Sequence, residues 1–310
     1  MAGPATLRPP PHRVPRWQTL AIAALLAVTG CSGGADTLSS PRSTPPPPAP
    51  TDTGATVPVF DRGRFAAAIP LPGAGTTAVA DGVLWVLASS TVVRIDPETN
   101  AAVGKPLPVP AHAEAIAVGQ GALWVASVAP GDLGMPGKDR VSRIDPATGR
   151  RVATITVGRA PLDLAATPGG VWVPNAGGGG DSVTRIDPKT NRLADRPIST
   201  GASPQSLATG GGSLWVANHD ARTVTRIDQA SGKVVANIPV PSEPHRVTYG
   251  AGAAWVGNWH DNSVSRIDPQ TNRAVETIAV GGHPIDVAST EDAVWVSVAN
   301  PGRLLRIVGP

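Results

Sequence analysis

The chain has 310 residues, 41% hydrophobic, 4% aromatic and 16% charged, with 35 Gly and 34 Pro, which excludes a coiled coil and a highly charged disordered polymer. A formal charge of +3 argues for a nucleic-acid or membrane-surface partner only if the excess lies in the working domain. It does not: Arg8, Arg13 and Arg16 precede Cys31 with no acidic residue among them, and the rest holds 23 basic and 23 acidic residues, so no nucleic-acid partner is expected.

Residues 1–30 read as an export signal, with a basic start and an apolar run, LAIAALLAV, from Leu20 to Val28. Nine residues are too few to span a bilayer but suit the core of a signal peptide. The sequence VTGC at Val28 to Cys31 resembles a bacterial lipobox, which implies that Cys31 is the lipid attachment site and the mature N-terminus. As the only cysteine it has no intramolecular disulfide partner, so the exported domain relies on packing. The expected location is extracytoplasmic, with the chain anchored through Cys31 to membrane lipid. Residues 31–58 are rich in Ser, Thr, Gly and Pro and nearly devoid of large apolar side chains. Burial cannot offset their ordering entropy, and they read as a disordered tether, locally extended at Pro45 to Pro48.

Residues 59–310 repeat. Six Trp-Val pairs begin at Trp85, Trp124, Trp172, Trp215, Trp255 and Trp295, with spacings of 39, 48, 43, 40 and 40 residues. Each precedes an Arg-Ile pair, at Arg94, Arg143, Arg185, Arg226, Arg266 and Arg306. Five copies continue into a turn: DPETN, DPATG, DPKTN, DQASG and DPQTN. Each unit reads as four short strands, illustrated by EAIAV, ALWVA, RVSRID and VATITV, with Gly or Asn where a turn needs a left-handed backbone. The Trp strands are apolar on both faces, as expected for sheets sandwiched between neighbours.

The predicted fold is therefore all-β, a six-bladed β-propeller of four-stranded blades. The sixth unit stops before its fourth strand, and RFAAAIPL at Arg64 to Leu71 is predicted to supply it, closing the ring through an N-terminal strand in the last blade. The repeated Trp and Arg residues read as scaffold. Of eight Trp residues, Trp17 falls in the export signal and six mark the units, leaving Trp259 as the informative one.

Function is expected where the units differ. The segment leading into each innermost strand and the loop after each second strand open on one face. The lead-in segments carry His112 and Glu114 in unit two, Asp163 in three, Gln205 and Ser206 in four, Glu243, His245 and Arg246 in five, and His283 and Asp286 in six. The second loops add Asn175, the Gly177 to Gly180 run, Asn218 with His219, and Asn258, Trp259, His260 and Asp261. His, carboxylate and aromatic residues converging on a concave mouth fit a ligand pocket. The longest second loop, VAPGDLGMPGKDR in unit two, is expected to cover the mouth. No GxSxG, HExxH or Walker sequence is present.

The succession WVAN, VSRIDP and a TIPVG-like strand resembles the YVTN and NHL-like propeller repeats of exported bacterial proteins, and also the virginiamycin B (streptogramin) lyase superfamily. The resemblance implies a propeller. For the lyase it further implies elimination on a cyclic depsipeptide with Mg and with His and Glu side chains in the central mouth. In EPHRVTYGAGAAWVGNW, His245 matches the lyase histidine, while Asn258 stands at its glutamate position. Two functions follow. The first is a lipoprotein that binds a peptide, glycan or envelope protein through the mouth, with Trp259 as apolar anchor. The alternative is a lyase-like, metal-assisted enzyme with His245 as general base.

Overall fold

A computed structural model describes residues 69–129, 139–177, 180–290, 293–299 and 302–308. The export signal, the tether, most of the predicted closing strand, most of the long loop of unit two and the middle of the glycine run lie outside the described residues. Those described hold strands in six antiparallel sheets and no helix, and the chain is a six-bladed β-propeller.

The innermost strands are Ala74–Ala80, Ala113–Gly119, Ala165–Thr167, Pro204–Gly210, Pro244–Gly250 and His283–Ser289. Each pairs with the Trp strand that follows it, which in turn pairs with the strand bearing the repeated Arg. Blades two, four and five add a continuous outer strand, whereas blades one and three split theirs into two short pieces. Blade six shows three strands among the described residues. Of the predicted closing strand, residues 69–71 are described, and Ile69 and Leu71 pack against Val86, Ala88, Val93 and Ile95 of blade one.

The core lies between blades, because a sheet apolar on both faces must bury both. Five hydrophobic clusters each join two consecutive blades. In every one the Trp of the earlier blade faces the next: Trp85 packs with Ile116 and Val125, Trp124 with Val171 and Val173, Trp172 with Leu207 and Val216, Trp215 with Val247 and Val256, and Trp255 with Val287 and Val296. The approach is close. A Cβ on Gly210 would fall 2.0 Å from Tyr249 Cδ1 of the next blade, so only glycine lets Tyr249 stack on Trp215, with ring centroids 6.0 Å apart.

The repeated Arg belongs to the same device. Register places each Arg opposite its blade's Trp, and the guanidinium lies 5.0 to 5.9 Å from the indole centroid in all six blades. From there it reaches the next blade's Asp-Pro turn. Arg94 donates to Pro146 O, Arg143 to Pro188 O at 2.6 Å and Asn191 Oδ1 at 2.9 Å, and Arg226 to Pro269 O and to Asn272 Oδ1 at 2.8 Å. The turns are pre-shaped for this role. Asp268 Oδ1 accepts from Gln270 N and its Oδ2 from Thr271 Oγ1, while Asn272 takes the left-handed conformation with φ +54°. Blade four, whose turn is DQASG, breaks the pattern, and Arg185 pairs with Asp195 of its own blade instead.

Replacing Arg226 by Ala is accordingly expected to cost about 1–3 kcal/mol, because a charge-assisted donor is lost to two acceptors on the next blade. Arg226→Lys is expected to recover less than half, since one ammonium cannot span the carbonyl, the amide and the indole face together. Urea unfolding of the three proteins checks this; equal midpoints for wild type and Arg226→Ala would remove the Arg from the inter-blade bonding.

Candidate functional site

Pairing of Pro244 with Asn258, and of Pro204 with Asn218, sets the start of each innermost strand beside the end of its Trp strand. The lead-in segments and second loops therefore share one face, as expected. A register shift follows in both blades, between Pro204 and Ser206 and between Pro244 and Arg246. Such an extra residue twists the strand locally and re-aims its side chains.

Three groups of residues arise there. The first is aromatic. Trp259 is half-buried, lies parallel to His283 at 5.0 Å with 8° between the planes, and meets His245 at 5.4 Å and 45°. Two backbone bonds hold it: Trp259 N donates to Glu243 O at 3.1 Å, and the Trp259 carbonyl accepts from His283 Nδ1 at 3.0 Å. The second group surrounds Glu243. His260 Nε2 donates to Glu243 Oε2 at 2.8 Å, and His219 Nε2 lies 3.4 Å from the same oxygen. His219 is oriented from behind, its Nδ1 donating to Asp220 Oδ1 at 2.7 Å. His219 was recognisable only as one polar residue of a second loop; its meeting with Glu243 joins two blades.

The third group is charged and lies on the innermost strands around the central channel or, for Asp163, just ahead of its strand. Asp163, Ser206, Arg246 and Asp286 occupy one level in blades three to six, as the pairings of Ser206 with Ala217, Arg246 with Gly257 and Asp286 with Ser297 show. Burial pushes the Asp163 carboxyl above the usual carboxylate range, against the lowering effects of the Arg246 charge and of bonds from Leu207 N, Leu164 N and the Ser206 hydroxyl. Burial likewise raises Asp286, opposed by Arg246 and by a bond from Val287 N. His245 is held down at about 4, first by burial and then by the Arg246 and His219 charges, while its bond to the Ile285 backbone pulls the other way. The imidazole is thus neutral at physiological pH. Its Nδ1 is buried and has no hydrogen-bond partner.

The remaining sequence candidates separate from these groups. Glu114 is raised by burial and lowered by the charge of His112, which sits exposed beside it at the blade-two lead-in. Asn258 does not face the mouth. It is fully buried, and its Nδ2 donates to Ser263 Oγ at 3.0 Å and Ser265 Oγ at 2.8 Å. Asn175 and Asn218 repeat this arrangement with Ser182 and Thr184 and with Thr223 and Thr225. The expectation that Asn258 contacts ligand is therefore corrected: the column of three is a sheet-bonding position, and burial removes it from reach.

The Mg implied by the lyase resemblance does not fit these donors. Mg demands an octahedral shell of oxygens, whereas the second group offers one carboxylate oxygen already bonded to an imidazole. The residue at the lyase glutamate position is a buried amide whose nitrogen is spent on hydroxyls. Among the described residues no group of three or more His, Cys, Asp or Glu side chains is placed to hold a metal ion.

No protein-family model matches the chain, and no curated protein matches it. Solved structures do. Hydrazine synthase of Kuenenia stuttgartiensis aligns over 81% of this chain and 80% of that one, with 19% identity and a TM-score of 0.62. The WD40 domain of Neurospora crassa Pan2 covers 71% and 70%, with 12% identity and a TM-score of 0.53. A chain of a mitotic checkpoint complex covers 80% and 79%, with 12% identity and a TM-score of 0.65. At these identities the likeness is one of fold, a β-propeller architecture, and function is argued from the site.

Proposed function

We propose that this protein is an exported β-propeller lipoprotein, anchored through Cys31, whose loop-rich mouth binds a peptide, glycan or envelope protein. The observation that carries this reading is the half-exposed indole of Trp259 between His245 and His283. A large aromatic side chain held at a mouth by two backbone bonds and stacked on one face supplies contact area with little entropy left to lose. His260 beside it is exposed and bonded to Glu243, giving a polar rim next to the apolar anchor. Five scaffold Trp residues, Trp85, Trp124, Trp172, Trp215 and Trp255, face neighbouring blades; Trp259 does not belong to their column.

Affinity capture from envelope extracts with the full-length chain tests the reading. Wild type is expected to retain a specific set of molecules that Trp259→Ala with His260→Ala loses, the loss of an aromatic anchor typically costing about 2 kcal/mol or more, or roughly thirtyfold in affinity. Identical recovery by wild type and double variant would end the proposal. Thermal midpoints of the two proteins should agree within a few degrees, because neither residue belongs to the buried hydrophobic clusters that join the blades.

A further inference from the structure

At the inner level of the channel, blades three and four bond the next blade through a side chain; blades one and two do not, since Thr76 Oγ1 is buried without a hydrogen-bond partner and Ala115 has no acceptor. At this level in blade three, Asp163 Oδ2 accepts from Leu207 N of blade four at 3.0 Å. At the same level in blade four, Ser206 Oγ accepts from Val247 N of blade five at 3.4 Å. Each side chain thus bonds a backbone N–H left over by the next blade's bulge. Blade five carries Arg246 at this level, which has only donors and cannot accept from Val287 N of blade six. Val287 N is bonded by Asp286 of its own blade, Oδ1 at 2.9 Å, as Leu164 N is by Asp163 Oδ1 at 2.8 Å. Among the described residues the Arg246 guanidinium makes no hydrogen bond and no ion pair, although its charge acts on Asp163, Asp286 and His245. A guanidinium set beside the buried carboxylates of Asp163 and Asp286, with its fork of donors unused, has no bonding role in the fold and is placed for a ligand.

The charges around it decide what that is. One guanidinium faces two carboxylates, so the level as a whole does not favour a free anion, and a simple cation would meet the arginine. A ligand carrying both signs suits it. Arg246 offers a planar fork for a carboxylate. The Asp286 carboxylate, with one oxygen taken by Val287 N, keeps acceptor capacity for an ammonium. His245 Nδ1 is a second acceptor without a donor, its other nitrogen being tied to the Ile285 backbone. The Trp259 ring lies 5.4 Å from the His245 ring and is placed to meet the ligand's apolar part.

We propose that the channel level of Arg246, Asp286 and His245 binds the zwitterionic head group of a free α-amino acid, the carboxylate on Arg246 and the ammonium on Asp286 and His245, with the side group against Trp259. This rests on the mouth being a binding site and names the chemistry that it recognises.

Calorimetric titration of the full-length chain in detergent with each of the standard L-amino acids tests it, followed for the tightest binder by its decarboxylated amine and its deaminated acid. At least one amino acid is expected to bind, with both truncated counterparts weaker by roughly tenfold or more, since each leaves a charged partner unpaired. Arg246→Gln and Asp286→Asn should each weaken the amino acid by a similar factor, while Arg246→Lys, which keeps the charge but not the fork, falls between; near-ultraviolet circular dichroism identifies any variant that has lost its fold. The proposal is overturned if no amino acid binds, if the amine or the acid binds as tightly as the parent, or if a folded Arg246→Gln binds like wild type. Envelope capture that still depends on Trp259 and His260 while no amino acid binds would leave the mouth a binding site and remove only the zwitterion; loss of both results would remove both.

Discussion

Replacing Trp215 by alanine is expected to lower the unfolding free energy by roughly 3–5 kcal/mol, the range for emptying a large aromatic site in a core. The side chain is fully buried between blades four and five. It also holds three specific contacts: Nε1 donates to Gly210 O at 3.3 Å, Tyr249 stacks at 6.0 Å, and the Arg226 guanidinium sits 5.0 Å from the ring. Removing the indole leaves Gly210 O without its donor and strips Arg226 of the face on which it rests while reaching Pro269 and Asn272. The blades are fixed by their pairwise interfaces around the ring, so one blade cannot collapse into the gap without opening another interface, and little of the loss is recovered by relaxation. Trp215→Phe should keep most of the apolar contact and lose the Nε1 bond, costing about 1–2 kcal/mol. Urea unfolding of the three proteins makes the comparison. A cost for Trp215→Ala below about 1 kcal/mol would mean that the inter-blade faces are not the core, contrary to the clusters seen here.

This interface logic explains what the chain discloses before it is folded. Trp215 and Arg226 are legible because their physical task recurs at each blade junction, and a task repeated around a ring leaves a period in the sequence. The left-handed turn positions Asn100, Asn191 and Asn272 are legible for the same reason, their backbone strain selecting Asn or Gly every time. Asn258 shows how the same signal is misread: beside Trp259 and His260 it looks like part of a ligand set, yet Asn175 and Asn218 hold its place in earlier blades, and alignment of the repeats alone places it in the scaffold. The partners of the Arg residues were not legible. The bond from Arg226 to Pro269 spans 43 residues and depends on which face of the sheet meets the next blade. The meeting of His219 with Glu243 likewise needs blades four and five side by side. Arg246 lies between these cases: its presence among the mouth residues is plain from the sequence, but its significance emerges only when the acceptor side chains of Asp163 and Ser206 are seen to perform a bond that an arginine cannot.

His245 should make the fold acid-sensitive in a specific window. Its pKa is held at about 4 in the folded protein against 6.5 for the free side chain. Above 6.5 the imidazole is neutral whether the chain is folded or not, and the group contributes nothing to the pH dependence. As pH falls from 6.5 towards 4, the unfolded chain takes up a proton that the folded chain refuses, so folding loses stability, by up to about 3 kcal/mol when the window has been crossed. Below about 4 the folded protein protonates as well and the loss levels off. Glu114, Asp163 and Asp286 act in the opposite sense: burial raises them, so the folded state holds its protons more tightly than the unfolded chain, and acid favours folding as pH falls through their folded values. The net curve of the wild type therefore mixes both signs, and a difference between two proteins isolates the histidine. His245→Gln is the suitable partner, because Gln205 occupies the equivalent position of blade four and is accommodated there with 6% of its surface exposed. Stability measured by urea unfolding at intervals from pH 7.5 to about 4 should show wild type falling relative to the variant from about pH 6.5 downward, the gap widening by about 1 kcal/mol for each unit. Parallel curves through the window would show that His245 titrates alike in both states. Arg246→Gln supplies the internal control: with the arginine charge gone, one cause of the depression is removed, and the relative loss of stability on acidification should shrink without vanishing, since burial, the larger cause, remains.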